Sequence, residues 1–412
     1  MGKTILHADL NNFYASVECL YNPELRDKAV AVCGAQSTRH GIVLAKNYAA
    51  KKAGVVTGEA IWQAKIKCPN LVIIQRNFQR YIKVASIVNR IYKRYTNLVE
   101  AFGIDENWLD VTESTRLFGT GEEIANEIKE AIKFEVGITA SVGVSYNKIF
   151  AKLGSDYKKP DAVTVITEHN YKTIVWPLPV SDLMYVGRST LRKLNNIGIT
   201  TIGDLANTPL NVLKNLLGVW GQTLWIFANG CDETPVYKLD YEPVIKGIGN
   251  SLTAPRDLVC NEDIKILTYV LAESVGERLR RHHLKGRTVQ IWVRDKNLES
   301  VERQAKLFRH TNATAEIAEK ALDIFVGSWN WKEAIRSYGI RVTDLITADE
   351  YVQLSLLDDE KHVKRELLDL SIDKIRGRFG HYSVQRSVLL KDRSLNANPV
   401  EENTIHPVSW FR

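Results

Sequence analysis

Short apolar runs of β type alternate with stretches of helical spacing from residue 4 to residue 157, and this alternation constrains the fold more than any other feature of the sequence. The β-type runs lie at 4–8, 29–33, 42–44, 71–75, 98–104, 108–112 and 138–144. The stretches of helical spacing lie at 12–20, 45–53, 59–67, 79–95, 121–134 and 147–157. Because a helix with one apolar face must bury it against another element, the pattern predicts an α+β domain built around one sheet.

The pattern changes after Pro177 and Pro179. Helical pieces at 189–195, 203–206, 209–217 and 219–229 predict a small all-helical unit, and the polar, proline-containing stretch 231–248 predicts a linker. An α/β pattern returns over 249–345, with strands near 288–293 and 338–343 and helices near 261–281 and 313–326. The acidic, then mixed segment from 347 is expected to be partly flexible. The chain is therefore predicted to be an α+β multidomain protein.

Composition excludes several classes of protein. No apolar run approaches the ~18 residues needed to span a membrane, and the N-terminal apolar run is too short for a signal peptide. The five cysteines are odd in number, far apart and without a C-x-x-C pair, which argues against a disulfide framework and a zinc site. We therefore expect a cytoplasmic protein with no membrane partner.

Basic charge is concentrated in one stretch. The formal net charge is +7, and residues 278–309 alone hold ten Lys or Arg against three Asp or Glu. A charge run of this kind is most often a solvated helix face, but it is also the electrostatic footprint of a polyanionic partner.

Three acids stand out by position. Asp9 lies at the end of the buried run 4–8, and Asp105 and Glu106 lie side by side at the end of another predicted strand, 98–104. Buried carboxylates are unfavourable without a cation, and hard oxygen ligands suit Mg²⁺. Adjacent strands would present Asp9 and Asp105 side by side, as two-metal phosphoryl transfer requires. Taken alone, an Asp-Glu pair at a turn is more often merely solvated.

Basic and hydroxyl side chains around these acids favour a triphosphate site. Tyr48, Lys51 and Lys52 share one predicted helix, and Lys148 and Lys152 lie four residues apart on another. Each of them alone could equally be a surface charge.

Three blocks then match a known family in order. His-Ala-Asp-Leu-Asn-Asn-Phe-Tyr-Ala-Ser-Val-Glu (7–18), Gly-Ile-Asp-Glu-Asn-Trp-Leu-Asp-Val-Thr (103–112) and Ala-Ser-Val-Gly-Val-Ser-Tyr-Asn-Lys-Ile-Phe-Ala-Lys (140–152) resemble motifs of the Y-family translesion DNA polymerases, closest to the UmuC-like bacterial branch (ImpB/MucB/SamB type). The resemblance implies a right-hand polymerase of low fidelity that adds deoxynucleotides to a primer with two Mg²⁺ ions and bypasses lesions in DNA repair and the SOS response.

The resemblance also implies a role for single residues. Asp9, Asp105, Glu106 and the Leu10 carbonyl fall on metal ligands, although Glu106 could instead assist the primer 3′ hydroxyl. Tyr14 falls on the steric gate. Phe13, Tyr48, Lys51 and Lys152 fall on nucleotide contacts, with Lys51 in a place where the family usually has Arg.

The domains implied are a palm (1–19 and 76–170), fingers (20–75), a thumb (171–235), a linker (236–248), a little finger (249–346) and a tail (347–412). Residues 183–205 resemble a helix-hairpin-helix, with Gly187 and Gly198 as phosphate-facing turn residues and Tyr185 in place of a usual Gly. The basic stretch falls in the little finger, and its predicted DNA contacts are Arg278, Arg280, Arg281, Lys285, Arg287 and Arg294.

Within the tail, Gln353, Leu354, Leu356 and Leu357 resemble the peptide that binds the sliding clamp. The expected partners are primer-template DNA, deoxynucleoside triphosphates and that clamp. Whether an accessory SOS subunit takes part is open. Two other functions are compatible with parts of the pattern: a catalytically idle DNA-binding subunit, which would be expected to lack a carboxylate, and a nucleotide cyclase, which would not need the hairpin, the basic stretch or the clamp peptide.

Overall fold

The computed structural model describes residues 2–34, 41–239, 241, 244–349 and 360–398. Two compact units divide the chain near residue 242. In the described part of the chain, no helix has the length and apolar character needed to cross a bilayer.

The first unit contains eight strands and twelve helices among its described residues. The strands are β1 (Ile5–Leu10), β2 (Val30–Cys33), β3 (Val43–Lys46), β4 (Val72–Gln75), β5 (Val99–Ala101), β6 (Glu106–Asp110), β7 (Ala140–Ser145) and β8 (Val163–Val165). The helices are α1 (Phe13–Tyr21), α2 (Tyr48–Lys52), α3 (Ile61–Lys67), α4 (Phe78–Tyr92), α5 (Thr115–Phe118), α6 (Gly121–Glu135), α7 (Lys148–Tyr157), α8 (Tyr171–Ile174), α9 (Arg188–Asn195), α10 (Ile202–Asn207), α11 (Leu210–Leu217) and α12 (Val219–Ala228).

The central sheet of this unit has the order β5-β6-β1-β7-β8. Its middle strand, β1, is buried along its whole length and pairs antiparallel with both β6 and β7. The apolar stripes of α4 and α6 pack on one face and form the largest core of the unit. The capping box of Thr120 and Glu123 fixes the start of α6.

Helix α7 packs very closely on the opposite face of the sheet. A Cβ added to Gly143 would lie only 1.9 Å from the Ala151 carbonyl oxygen, and Gly154 faces Gly143 across the contact. This approach requires glycine, since backbone meets backbone there. It places the polar side of α7 beside the edge where β1 ends.

Two smaller substructures complete the first unit. The strands β3-β2-β4 form a three-stranded sheet with its own small core, which includes Ala50 and Ala64 from α2 and α3. Residues 171–228 form the predicted helical unit, with a core contributed by α9 to α12.

Among its described residues, the second unit has one four-stranded antiparallel sheet and three helices. Its strands are β9 (Gly247–Leu258), β10 (Leu284–Asp295), β11 (Ser300–Thr311) and β12 (Ile335–Thr347), in the order β11-β10-β12-β9. Its helices are α13 (Asn261–Arg281), α14 (Thr314–Ser328) and α15 (Glu360–Phe379). The helices α13 and α14 cover one face, against which Val289, Ile291 and Val293 of β10 are buried.

The expectation that the chain is partly flexible from residue 347 is wrong for residues 360–398. This segment forms α15 and two short turns that pack on the second unit, and Leu389 and Leu395 are each 1% exposed within its core. Sequence periodicity did not indicate this because α15 is held mainly by ion pairs. Arg376 Nη2 donates to Glu273 Oε2 at 2.9 Å, and Arg386 Nη2 to Asp369 Oδ1 at 2.7 Å.

Candidate active site

The three predicted acids meet at one edge of the central sheet. In the β1–β6 pair Asp9 stands opposite Glu106, and the Leu10 N–H donates to the Asp105 carbonyl at 3.0 Å. The prediction that Asp105 and Glu106 end a strand is wrong in detail, because Glu106 begins β6 and Asp105 lies in the turn before it. The antiparallel register still brings the start of β6 to the end of β1, so the three carboxylates share one site.

Burial and mutual repulsion perturb two of these acids. Burial raises the pKa of Asp9 to about 6, although the charge of Lys159 acts against it. For Asp105, burial together with the charges of Asp9 and Glu106 raises the pKa to about 7. The charges of both other acids act on Asp105, and the charge of Glu106 acts on Asp9, as expected for carboxylates that share one site.

Glu106 behaves differently. Burial would raise its pKa, but a hydrogen bond from His7 and the charge of Lys152 outweigh it and lower the pKa to about 2. The Lys152 ammonium forms an ion pair with Glu106 Oε2. Pairs of acids with opposite pKa shifts are typical of catalytic sites.

Sequence reasoning missed a second lysine. Lys159 Nζ donates to Asp9 Oδ2 at 2.7 Å and pairs with Asp156 at the same distance. Its loop is anchored by the Asp161 N–H, which donates to Asn11 Oδ1 at 3.0 Å. The only signal in the sequence was a Lys-Lys pair before Pro160, just beyond the third motif, and nothing in that spacing indicated that it returns to Asp9.

Tyr14 lies in an aromatic cluster beside the acids. Its ring stacks on Tyr81 with centroids 4.3 Å apart and meets Phe78 edge-on. The Tyr81 hydroxyl donates to Glu18 Oε1 at 2.8 Å, which fixes the lower ring. Phe13 is only 2% exposed and belongs to the core, so its predicted contact with the nucleotide is replaced by a packing role beneath Tyr14.

The structure separates the predicted phosphate-binding cations. Tyr48 begins α2, is 37% exposed and feels the charges of Lys159 and Asp9, so it faces the acid cluster. Lys51 follows one turn later, with its Nζ 5.8 Å from the Tyr48 ring centre. Lys148 is instead engaged elsewhere, because its Nζ donates to both oxygens of Glu100 at 2.8 Å.

The helical unit presents the predicted hairpin glycines to open space. Gly187 precedes α9 as its N-cap, Gly198 has φ +80, and a Cβ at either would meet no atom within 4 Å. Tyr185, the residue in place of a usual Gly, has φ 69 and packs against Trp220 with the ring centroids 5.4 Å apart and the ring planes tilted by 45°. The hairpin shape is kept, and a ring replaces open backbone in its first turn.

Several of the predicted DNA-binding cations in the second unit form ion pairs or hydrogen bonds within the protein. Arg280 is 6% exposed in its side chain and pairs with Asp369 and Asp373, and Lys285 pairs with Glu366 at 2.8 Å. Arg278 donates to the Gly249 carbonyl and Arg287 to the Leu307 carbonyl. We therefore correct the assignment of Arg280 and Lys285, which hold α15 and have no free charge to offer a phosphate.

The face of the second sheet opposite the helices carries basic and aromatic side chains. Arg294 and Trp292 of β10 lie on it, with Arg281 outside the sheet and paired to Glu277 at 2.6 Å. Register adds two exposed cations that sequence reasoning missed, Lys306 opposite Thr288 and Arg341 opposite Gln290. The alternating pattern of side chains along 288–294 indicated this face of the sheet. Only the strand pairing shows which residues of β11 and β12 lie on it.

The acid cluster fits a divalent cation by its donor set. It offers carboxylate oxygens and the Leu10 carbonyl on a rigid sheet edge, and its surplus of negative charge is compensated by Lys152 and Lys159. Within the described residues, no three His, Cys, Asp or Glu side chains are gathered tightly around one point. The predicted clamp peptide, 353–357, lies outside the described residues.

Comparison with known proteins gives the same assignment along the chain. Residues 8–156 match the impB/mucB/samB family, residues 245–356 match its C-terminal domain, and residues 181–232 match the thumb domain of DNA polymerase iota. DNA polymerase IV of Acetivibrio thermocellus is 62% identical over 397 residues, covering 96% of this chain and 100% of that protein. DNA polymerase IV 2 of Halalkalibacterium halodurans is 39% identical over 98% of each chain.

A solved Y-family DNA polymerase chimera has the same fold. It superposes with a TM-score of 0.72 at 24% identity and covers 84% of this chain and 99% of its own. The expected right-hand architecture, with palm, fingers, helical thumb and α/β little finger, is therefore confirmed. With the three motifs, the shared fold and full-length relatives all in agreement, this chain belongs to the impB/mucB/samB family of Y-family DNA polymerases.

Proposed function

We propose that this translesion-type DNA polymerase adds deoxynucleotides to a primer at the acid cluster, with Asp9, Asp105, Glu106 and the Leu10 carbonyl as the ligands of two Mg²⁺ ions. The observation that carries the proposal is the β1–β6 register, which places Asp9 opposite Glu106 and ties Leu10 to Asp105. Bound Mg²⁺ supplies charge that stabilises the attacking 3′ oxygen and the leaving pyrophosphate. The chain's own contribution is a preorganised set of anionic ligands on a sheet edge.

The lysines of the site are proposed to bind the triphosphate. Lys152 and Lys159 are held beside Glu106 and Asp9, while Tyr48 and Lys51 lie on the short helix α2. Cations and a hydroxyl around one cleft match the several acceptor oxygens of a triphosphate. Lys51 gives a point charge in place of a bidentate fork, so it orients the phosphates less strictly than Arg would.

DNA is proposed to be held at two sequence-independent surfaces. In the thumb, the open backbone at Gly187 and Gly198 can approach a phosphate closely. In the little finger, one sheet face supplies the half-buried Arg294 and the exposed Lys306 and Arg341 as cations. Binding through such contacts is non-specific and salt-sensitive, as lesion bypass on any template requires.

Three further features of the proposal rest on sequence. The segment Gln353-Leu354-Ser355-Leu356-Leu357 is proposed to bind the sliding clamp, since glutamine followed by apolar anchors suits a hydrophobic groove. We also infer a cytoplasmic enzyme that acts in DNA repair and the SOS response. A further accessory subunit is compatible with this function but is not required by any residue of the site.

Binding of Mg²⁺ is expected to release protons in a pH-dependent way. The pKa values of Asp105 (about 7) and Asp9 (about 6) mean that both acids are partly protonated without metal, whereas ligands must be ionised. At pH 6.5 about one proton should be released per site, and at pH 8 almost none. Calorimetry in buffers of different ionisation enthalpy measures this number.

Because the pKa values of Asp9 and Asp105 are raised, the apparent Mg²⁺ affinity should increase from pH 6 to pH 8 and then level off. Asp105→Asn is the control, because it removes the acid with the higher pKa and should remove most of the proton release at pH 6.5. Release that is independent of pH, or unchanged in the variant, would place the metal elsewhere.

Loss of the Tyr14 ring is expected to relax sugar discrimination. The ring stacks on Tyr81 next to the acid cluster, where it would stand against a ribose 2′ hydroxyl. Tyr14→Ala should raise the relative efficiency of ribonucleotide insertion by at least about 10-fold. Single-nucleotide insertion kinetics with dNTP and rNTP measure the ratio.

Tyr14→Phe is the matched control, since it keeps the ring and its stacking and should keep wild-type discrimination. If Tyr14→Ala inserts ribonucleotides no better than Tyr14→Phe, the gate assignment is wrong.

A further inference from the structure

Asn11 is a buried polar residue that directly follows β1 and is only 2% exposed. Its backbone N–H donates to the Thr139 carbonyl at 2.9 Å, and its backbone carbonyl accepts from Ser16 Oγ at 2.7 Å. In its side chain, Nδ2 donates to Ser141 Oγ at 2.9 Å and Oδ1 accepts from the Asp161 N–H at 3.0 Å. A buried side chain whose polar atoms are all paired is held in one orientation.

The contact with Asp161 fixes which end of the Asn11 amide faces which partner. A backbone N–H can only donate, so the atom that faces it must be Oδ1. The other end of the amide is then Nδ2, which suits the hydroxyl of Ser141. Asn11 therefore connects β7 to the loop 158–162, which joins α7 to β8.

The loop 158–162 carries Lys159, two residues before the anchored amide. Lys159 Nζ donates to Asp9 Oδ2 at 2.7 Å. The end of the loop is fixed at Ala162, whose carbonyl accepts from the Val142 N–H at 2.9 Å. Because a lysine side chain is long and flexible, the place of its ammonium group depends on the backbone from which the side chain starts.

Asp161 has a backbone conformation that depends on its surroundings. Its φ of 51 lies in the left-handed region, which a residue with a Cβ adopts only when its contacts hold it there. The Asp161 carboxylate pairs with Lys133 at 2.8 Å, but that lysine side chain is 45% exposed, and exposed ion pairs stabilise little. The hydrogen bond to the buried Asn11 side chain is therefore the stronger restraint on this part of the loop.

We propose that Asn11 is a positioning residue for nucleotide binding, whose Oδ1 holds the Asp161 N–H and thereby sets the place from which Lys159 reaches the triphosphate. The inference rests on the proposed role of Lys159 and adds the residue that fixes its loop. A loop that is ordered before the nucleotide arrives costs no ordering entropy on binding, and this preorganisation increases affinity. The sheet itself does not need the amide contact, because β1 and β7 already pair through their backbones along their whole length.

The test compares Asn11→Ala with Ser141→Ala in the full chain. Asn11→Ala removes the acceptor of the Asp161 N–H, whereas Ser141→Ala keeps that acceptor and removes only the partner of Nδ2. We expect Asn11→Ala to raise KM for dNTP in single-nucleotide insertion by about 10-fold and to change kcat by less than about 3-fold, because the interaction lost is one of binding. Ser141→Ala should keep KM within about 2-fold of the wild-type value.

Two further measurements connect this effect to the loop and to Lys159. Hydrogen exchange in residues 158–162 should be faster in Asn11→Ala, while α6 and β7 stay protected. In the Lys159→Met background, Asn11→Ala should raise KM no further, since the two residues act through one contact.

Controls separate the proposal from a general loss of stability. Asn312 is a buried asparagine of the second unit, 6% exposed, and its Nδ2 donates to the Leu284 carbonyl at 3.3 Å. Asn312→Ala should lower the melting temperature without changing KM for dNTP. Asn11→Leu, which fills the space but offers no acceptor, should behave as Asn11→Ala does and replaces it if the smaller side chain prevents folding.

Three results would overturn the proposal. These are a wild-type KM in Asn11→Ala, an equal rise of KM in Asn312→Ala, or additive effects of Asn11→Ala and Lys159→Met. If Lys159→Met itself keeps the wild-type KM, both the triphosphate assignment of Lys159 and the role of Asn11 are wrong. A raised KM in Lys159→Met with a wild-type KM in Asn11→Ala would refute the role of Asn11 alone.

Discussion

Replacement of Asp105 by asparagine is expected to lower primer extension by about 10²–10³-fold while leaving the protein at least as stable as the wild type. The two effects have one cause. Burial and the charges of Asp9 and Glu106 raise the pKa of Asp105 to about 7, so its ionised form is unfavourable without metal. Asparagine keeps the shape and removes the charge. The metal-free variant should therefore melt at the same or a higher temperature at pH 8, where the wild-type acid is ionised.

Asp110, the last residue of β6, provides a matched control. Its Oδ1 accepts from the Thr112 N–H at 3.0 Å, a local contact away from the acid cluster. Asp110→Asn should cost some stability and leave extension nearly intact, the reverse of the Asp105 pattern. Extension by Asp105→Asn within a few-fold of the wild-type rate would refute the metal-ligand assignment. Activity on free triphosphate without a primer would favour a cyclase instead.

Removal of the chain after residue 349 is expected to unfold the little finger. The deletion strips Leu389 and Leu395 from the core, at about 1.5–3 kcal/mol for each buried side chain. It also leaves Glu273 without Arg376 and Arg386, and losing the partners of a buried charge costs about 3–5 kcal/mol. The sum is comparable with the whole stability of a domain, about 5–15 kcal/mol.

Limited proteolysis and thermal unfolding report this directly. The truncated chain should lose protection in residues 244–349 and bind primer-template more weakly, while the first unit stays protected. Deletion of 399–412 alone is the control, because it leaves Leu395 and both arginines in place. If the little finger of the 1–349 chain still unfolds cooperatively, α15 is not needed for its folding.

The strand-end acids illustrate what could be predicted from sequence. Asp9 was predictable because a short run of β type ends at it, and the motif resemblance singled out Asp105 and Glu106. Their place at the start of β6 was not, because a run of β type does not reveal strand direction or register. Lys159 was missed for a related reason. Its return to Asp9 depends on a loop held by Asn11, 150 residues away in sequence.

The basic stretch shows the opposite kind of error. Arg280 was assigned to DNA because it lies in a run of positive charge, yet its partners Asp369 and Asp373 are supplied by a helix about 90 residues later. A count of charges along one stretch of sequence does not reveal ion pairs with distant residues. Conversely, Arg341 lies outside the run and joins Arg294 only through the sheet. Net charge therefore pointed to one domain, but it did not distinguish the internally paired Arg280 and Lys285 from Arg294 on the sheet face.

Lys152 and Lys159 place positive charge beside Glu106 and Asp9, and this has a consequence for how metal and nucleotide bind. Each ammonium group also pairs with Asp156, so both lysines are shared between anions and can exchange one anionic partner for another. In the proposed nucleotide and metal sites, an arriving triphosphate would draw the lysines away from Glu106 and Asp9 and would thereby favour uptake of Mg²⁺. By thermodynamic reciprocity, Mg²⁺ would strengthen nucleotide binding by the same factor. We therefore expect metal and nucleotide to bind cooperatively.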